Sequence, residues 1–246
     1  MTAVVIFEEL DSTNAEARRR AEAGERGPVW LLARRQSAGR GRRGRSWEAG
    51  QGNLTATLLL TLDKPPLEAA QLAFVAAIAV GRMVEAYVPA ALIAFKWPND
   101  ILIEGLKASG ALIESGPAPG GGLWLAVGVG VNLADFPTDV ERPATALAAH
   151  LRHDRVRAHG QDEALERLAT TFDQALALWL AEGFEPVRRA WLERAVGIGG
   201  PCSARLHSET VSGTAEGLDA DGALLLRLNS GELRRITAGD VFFGAP

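Results

Sequence analysis

Apolar positions along this chain fall into short runs separated by turn chemistry, and their spacing changes from period two to period 3.6 and back. VVIFEEL near the N-terminus reads as a strand, followed by Asp11-Ser12-Thr13-Asn14 and the helical stretch AEARRRAEAG. Thr13 with Glu16 three residues later has the spacing of a capping box, and Gly24 is a helix stop. VWLLARR and NLTATLLLTL are strands flanking an Arg/Gly-rich connection. LEAAQLAFVAAIAVGRMVEAY predicts one long, deeply buried helix. LIAFKW, ILIE, ASGALIES and LWLAVGVGVNL are four further strands, punctuated by Pro98-Asn99-Asp100, Glu104-Gly105 and GPAPGGG. Helical patterns follow from Ala144 to His150 and from Asp162 to about Ala195. GIGGP at 197–201 ends that texture, and short alternating strands with Asp-Gly and Ser-Gly turns run on to Phe243. The pattern predicts an α+β chain, with a mixed sheet packed with helices over 1–196 and a small β-barrel over 197–246.

Composition narrows the classes. Of 246 residues 47% are apolar and 23% charged, as in a soluble globular protein, and the formal net charge is −4. Such a chain has no overall charge with which to coat DNA or an anionic membrane, so any anion site is local. The single cysteine, Cys202, excludes an intramolecular disulfide framework and suits a reducing, cytoplasmic setting. The N-terminus lacks the positive charge and long apolar run of a secretory signal. The uncharged segment Ala69–Gly81 is well short of the roughly 20 residues that span a bilayer.

Against that acidic background, RRQSAGRGRRGRSW at 34–47 places six arginines and three glycines within a dozen positions. Gly39, Gly41 and Gly44 match G-x-G-x-x-G, but the dinucleotide fingerprint needs a helix to begin there, and here the chain runs into a strand. RNA-binding arginine tracts lie mostly in basic domains or tails, whereas this one sits between two strands of an acidic domain. A solvated charged hairpin leaves the glycines unexplained. A flexible cationic loop closing over a small anionic ligand accounts for both residue types, since glycine exposes backbone N–H groups and arginine adds bidentate donors. Only three lysines accompany the many arginines, and two of them, Lys96 in KWPND and Lys107 in LKASGALIES, lie in polar punctuation. A compact ammonium fits between close oxygens better than a guanidinium does, although surface lysines in turns are also commonplace. Asn132 ends the apolar run LAVGVGVN, where a strand delivers an amide either to a pocket or to an ordinary turn.

DSTN at 11–14, RRQSAGRGRRGRSW at 34–47, KWPNDI at 96–101, K-x-x-G-x-L-x-E at 107–114 and GVGVN at 128–132, in this order and spacing, resemble the biotin–protein ligases. With the C-terminal β-module the resemblance covers essentially the whole chain. It implies a class II synthetase-like catalytic domain followed by an SH3-like barrel. It also implies a two-step reaction: biotin and ATP form biotinyl-5′-AMP and pyrophosphate, then a lysine of a biotin carboxyl carrier protein takes the biotinyl group. Mg2+ would accompany ATP, held mainly by phosphates and water. On the matched positions, Ser12, Thr13, Asn14 and Gln36 face the biotin ureido, with Gly39, Arg40, Gly41, Arg42, Trp47, Lys107 and Gly110 around the rest of the vitamin. Arg42, Arg45, Trp47, Lys96 and Asn132 serve ATP, and Lys107 with Arg42 supplies the catalytic cations. Ser109 departs from the small apolar residue usual before the glycine, and adds a hydroxyl near the biotin tail. The chain starts at the first strand of the catalytic domain, so the expectation is a monofunctional ligase that binds neither DNA nor a membrane. Exposed sheet edges leave a homodimer open.

Two rival classes make different demands. A lipoate–protein ligase shares the fold but not the GRGRRGR loop, and an RNA-binding protein would bind in a salt-dependent way and ignore biotin. A catalytically silent biotin sensor would not need both lysines and the full loop.

Overall fold

The computed structural model describes residues 2–151 and 160–244. Seven strands form the first sheet: β1 (Ala3–Leu10), β2 (Val29–Gln36), β3 (Leu54–Leu62), β4 (Ile93–Lys96), β5 (Asp100–Ile103), β6 (Leu106–Pro117) and β7 (Leu123–Val131). Their order is β1-β2-β3-β7-β6-β5-β4; β1 and β2 run parallel and every other neighbour pair is antiparallel, so the sheet is mixed. One face is covered by α3 (Leu72–Val84), α4 (Gln161–Glu182) and α5 (Phe184–Leu192), and the other by α1 (Thr13–Glu22). The two faces have different cores. The α3 side holds a large cluster including Trp30, Phe74, Phe95, Phe172 and Trp191, whereas α1 covers only a small one around Ala17, Leu31, Leu59 and Ala126. The lightly covered face is where β7 alternates glycine with valine, and it is left partly open.

Three helical expectations change. The stretch expected as one helix from 67 divides into α2 (Pro66–Ala69) and α3, with Gln71 buried at the joint and accepting a bond from Trp179 Nε1 at 2.9 Å. By length and composition Pro66–Val84 is apolar enough to cross a membrane, but 72% of its most apolar window is buried in the fold, as in a core helix. The run from 162 breaks at Gly183, whose φ of 77° ends α4 and starts α5. Residues 144–150 are mainly not helical: the Lys107 N–H donates to Pro143 O at 3.0 Å and the Thr145 N–H to Lys107 O at 2.9 Å, so the segment lies along β6 and only Leu147–Ala149 forms a 3-10 turn.

The C-terminal residues form a second, wholly antiparallel sheet of five strands: β8 (Pro201–Arg205), β9 (Thr210–Leu218), β10 (Leu224–Leu228), β11 (Leu233–Ile236) and β12 (Asp240–Phe243). Their order is β11-β10-β9-β8-β12, an SH3-like arrangement in which β11 and β12 do not pair among the described residues. Its inner face, with Ala204, Ala215, Leu224, Leu226 and Val241, joins the large core cluster of the first sheet. Trp97 Nε1 donates to Gly222 O at 3.0 Å, tying the β4–β5 hairpin to the β9–β10 turn.

Candidate active site

A cavity of about 110 Å³ opens on the α1 face of the first sheet. Of the residues expected from sequence, Ser12, Thr13, Asn14, Gln36, Arg40, Gly41, Arg42, Arg45, Trp47, Lys107 and Gly110 line it. Gly39 lies instead in an adjoining open cleft beside Trp47, Lys96 lines a neighbouring cavity past Lys107, and Asn132 does not line the main cavity.

The neutral end of the cavity is a hydrogen-bond network on rigid elements. Thr13 is the first helical residue of α1 and Ser12 its cap, so the expected capping box does not form. The Thr13 hydroxyl is used across the sheet: Thr13 N and Oγ1 both donate to Gln36 Oε1, at 2.7 and 3.0 Å. Thr57, fully buried on β3, lies 2.8 Å from Thr13 Oγ1 and 2.7 Å from Asn14 Oδ1. Asn14 Nδ2 completes the set on Glu114 Oε2 at 2.8 Å and Leu112 O at 3.3 Å. Asp11 stands outside this network, paired with Arg19 at 2.8 Å, and those bonds lower its carboxyl pKa to about 2. β7 provides the floor. A Cβ on Gly128 would overlap the Asn14 amide, and one on Gly130 would overlap the Trp47 indole, so the glycines of GVGVN admit the side chains above them.

The charged end is organised by β5, β6 and the Arg/Gly loop. The β5–β6 register shifts at Ile101/Leu102, a bulge that turns Lys107 back over Gly110. A Cβ at Gly110 would press on Lys107 Cε and Nζ at 3.3 Å, which explains the K-x-x-G spacing. Lys107 Nζ lies 2.6 Å from Asp100 Oδ1 and 5.6 Å from the Trp47 ring centre. The loop is a small hairpin: Arg40 and Ser46 bridge, the Gly41 N–H donates to Arg45 O at 2.8 Å, and Arg43 turns the tip at φ 58°. Arg40 bonds Glu114 at 2.8 Å. Arg43 and Arg45 reach the second sheet, both on Asp240, and Arg43 also bonds Arg205 O at 3.0 Å and Leu206 O at 3.2 Å.

Two cations stand apart. Arg42 has a neutral acceptor, Asn99 Oδ1 at 3.2 Å, and burial pushes its pKa down. Lys96 faces the Phe242 ring at 5.8 Å and has no carboxylate partner among the described residues; burial, then the charge of Arg142, pushes its pKa down. A half-buried cation lacking its anion is what a phosphate or carboxylate ligand relieves. Burial raises the Asp240 carboxyl, but Arg45, Arg142 and Arg43 outweigh this and hold it below the ordinary range.

Ser109, expected near the biotin tail, is fully buried and donates to Gly130 O at 2.7 Å, so its hydroxyl is used between strands. Asn132 is buried, with Nδ2 on Thr145 O at 3.0 Å and Oδ1 without a partner among the described residues. Sequence reasoning missed Thr57, Asn99, Asp100, Arg142 and Asp240. The floor glycines could have been found from the strict Gly/Val alternation of β7, which puts all glycines on one face.

Comparisons with known proteins identify the family. The model of the biotin/lipoate A/B protein ligase family matches residues 7–132, and that of the biotin protein ligase C terminal domain matches residues 197–244. The chain is 44% identical over 236 residues to a biotin--[acetyl-CoA-carboxylase] ligase of Paracoccus denitrificans, covering 95% of this chain and 98% of that one. It is 32% identical to the bifunctional ligase/repressor BirA of Bacillus subtilis, covering 98% of this chain and 74% of that protein. The solved biotin protein ligase of Aquifex aeolicus, in complex with biotin and ATP, superposes with a TM-score of 0.82 at 23% identity, over 99% of this chain and all of that one. The chain therefore belongs to the biotin/lipoate A/B protein ligase family, and within it to the biotin–protein ligases.

Proposed function

We propose that the chain activates biotin with ATP to biotinyl-5′-AMP and transfers the biotinyl group to a specific lysine of a biotin carboxyl carrier protein, of acetyl-CoA carboxylase or a related enzyme. The observation that carries this reading is one cavity with a neutral hydrogen-bonding end at Thr13, Asn14 and Gln36 and a cationic end at Arg42 and Lys107. A urea-like ring needs the first, and a carboxylate approaching a phosphate needs the second.

In this reading Ser12, Thr13, Asn14 and Gln36 bind the ureido, and Trp47 over Gly130 forms the apolar wall. Lys107 and Arg42 lie where carboxylate and α-phosphate meet and offset their repulsion as the new bond forms. Gly39, Arg40, Gly41 and Gly110 shape the loop and floor around the biotin tail, and Arg45 and Lys96 take the phosphates. Asn132, which does not line the main cavity, is assigned to the adenine side because its Oδ1 has no partner among the described residues and suits an amino group. Arg40 and Arg45 now bond protein carboxylates, so ligand binding exchanges those partners for substrate oxygens.

Mg2+ fits as a companion of ATP rather than as a resident ion. Among the described residues no three His, Cys, Asp or Glu side chains converge, so phosphate oxygens and water would provide most of its coordination. When bound, it neutralises phosphate charge.

We further assign 1–196 to the catalytic unit and 197–246 to the C-terminal one, with a cytoplasmic location and the carrier protein as partner. The test is incubation with biotin, Mg-ATP and a purified carrier domain, followed by mass spectrometry of the carrier. The expected result is a gain of one biotinyl group at a single lysine; an unmodified carrier, with lipoate giving the product instead, would overturn the assignment.

A further inference from the structure

Arg142 was outside every sequence motif, and its position is set by backbone pairing. The bonds of Lys107 with Pro143 and Thr145 hold the segment along β6, which fixes Arg142 at the edge of the main cavity. Arg142 also lines a second cavity of about 230 Å³, which shares Asp100 and Lys107 with the first and adds Lys96, Glu141 and Phe242. None of the neutral-end residues reaches this second space. Three cations, Lys96, Lys107 and Arg142, thus converge on the side of Lys107 away from Thr13 and Asn14.

The two acidic groups there are already engaged. Asp100 bonds Lys107 at 2.6 Å and Arg142 at 3.2 Å, and Glu141 bonds Arg205 at 3.2 Å. Arg142 itself is loosely held although its side chain is only 19% exposed: its contacts to Asp100 and Asp240 are 3.2 and 3.5 Å, against about 2.7–2.9 Å for a charge-assisted bond. Its Nε is buried with no partner among the described residues, and its guanidinium carbon lies 5.2 Å from the Phe242 ring centre. A guanidinium has five N–H donors, so this one retains capacity for a further anion.

We propose that Arg142 binds the pyrophosphate end of ATP and the pyrophosphate that leaves, an assignment that rests on the ligase reading above. In the first half-reaction a biotin carboxylate oxygen bonds to the α-phosphorus. The bond from that phosphorus to the bridging oxygen breaks, and its electron pair departs with pyrophosphate. Arg142, beside Lys96, donates N–H bonds to the oxygens on which that charge collects. Transfer from biotinyl-5′-AMP to the carrier lysine involves no pyrophosphate and does not use Arg142.

The experiment separates the half-reactions in the full chain. Biotin-dependent pyrophosphate–ATP exchange is measured for Arg142→Gln and Arg142→Lys, alongside single-turnover transfer from preformed biotinyl-5′-AMP to the carrier. The KM for ATP and for pyrophosphate should rise at least about tenfold in Arg142→Gln and less in Arg142→Lys. Biotin affinity and the transfer rate should stay within about twofold of wild type. A residue that only holds Asp100 and Asp240 in place would slow both half-reactions together or neither, and either result overturns the proposal. Should Arg142→Gln not fold, Arg142→Lys keeps the charge between the two carboxylates and carries the same comparison. Absence of biotin-dependent exchange in the wild-type chain would overturn the ligase reading instead, so the two failures are distinguishable.

Discussion

The two ends of the cavity solve opposite problems. At the neutral end, Thr13, Asn14, Thr57 and Gln36 bond one another across α1, β2 and β3, and their geometry exists before any ligand arrives. At the charged end, Lys107, Arg40, Arg45 and Arg142 are held by Asp100, Glu114 and Asp240, one of which comes from the second sheet. The first end is preorganised for recognition. The second holds its cations on carboxylates, and on the proposed function an entering anion would exchange those partners, which would couple substrate binding to the Arg/Gly loop.

The largest effect should come from the charged end. Lys107→Ala is expected to lower biotin-dependent pyrophosphate exchange by about 10²–10³-fold, the loss typical of one preorganised donor. Biotin binding by calorimetry should weaken far less; an equal loss in both would erase the division of labour between the ends. Next comes the floor of the neutral end. Gly128→Ala places a methyl against the Asn14 amide and should weaken biotin binding by about ten- to a hundredfold, from an overpacking cost of about 1–3 kcal/mol. ATP affinity in the absence of biotin should be unaffected, and a parallel loss would show that the ends are not separate.

Thr57→Val tests whether the network is preorganised or merely adjacent. Removing the hydroxyl leaves Asn14 Oδ1 without its partner and should cost about 1–3 kcal/mol in chemical denaturation, with about tenfold weaker biotin binding. Unchanged biotin affinity in a destabilised variant would mean that Thr57 supports the fold alone.

The smallest effect is expected at Asp240. Its loop partners Arg43 and Arg45 are well exposed and its third partner, Arg142, is held only at 3.5 Å, so Asp240→Asn should change global stability by less than about 1 kcal/mol. It should nevertheless free the loop, seen as faster proteolytic cleavage between residues 40 and 47 without ligand. The pH dependence has a definite sign. The folded Asp240 carboxyl ionises below its ordinary 3.8, so its contribution is complete above that value and is lost as pH falls through the lower folded pKa. Loop protection that disappears near neutral pH would point to a different group.

How far this division could be read in advance depends on range. K-x-x-G was readable because Gly110 makes room for a lysine three residues away on the same strand. The strands were readable because their apolar runs are distinct and end in Gly, Pro or Asn-Asp turns. Thr13 was misread as a cap because the local spacing is right for one, while its actual partner, Gln36, is brought close by parallel pairing of β1 with β2. ATAL at 144–147 carries helix-forming residues but bonds to β6 and Asn132, a tertiary override of local preference. Arg142 and Asp240 are separated by 98 positions, and one arginine among so many has no signature of its own. Pairings of that kind are decided by where two sheets meet, which no local pattern records.

The bond from Trp97 to Gly222 has a consequence for inheritance. In KWPND, Lys96 lines the cavity it shares with Lys107 and Arg142, while its neighbour Trp97 inserts toward the second sheet and bonds a carbonyl there. The pentapeptide is therefore a shared property of both sheets, and drift in the β9–β10 turn is transmitted to Lys96 by one peptide unit. A chimera that borrows its C-terminal sheet from a relative should work only if that turn comes with a backbone that meets the indole. Recombination between such genes should accordingly be tolerated when KWPND and the turn cross over together, and selected against when they part.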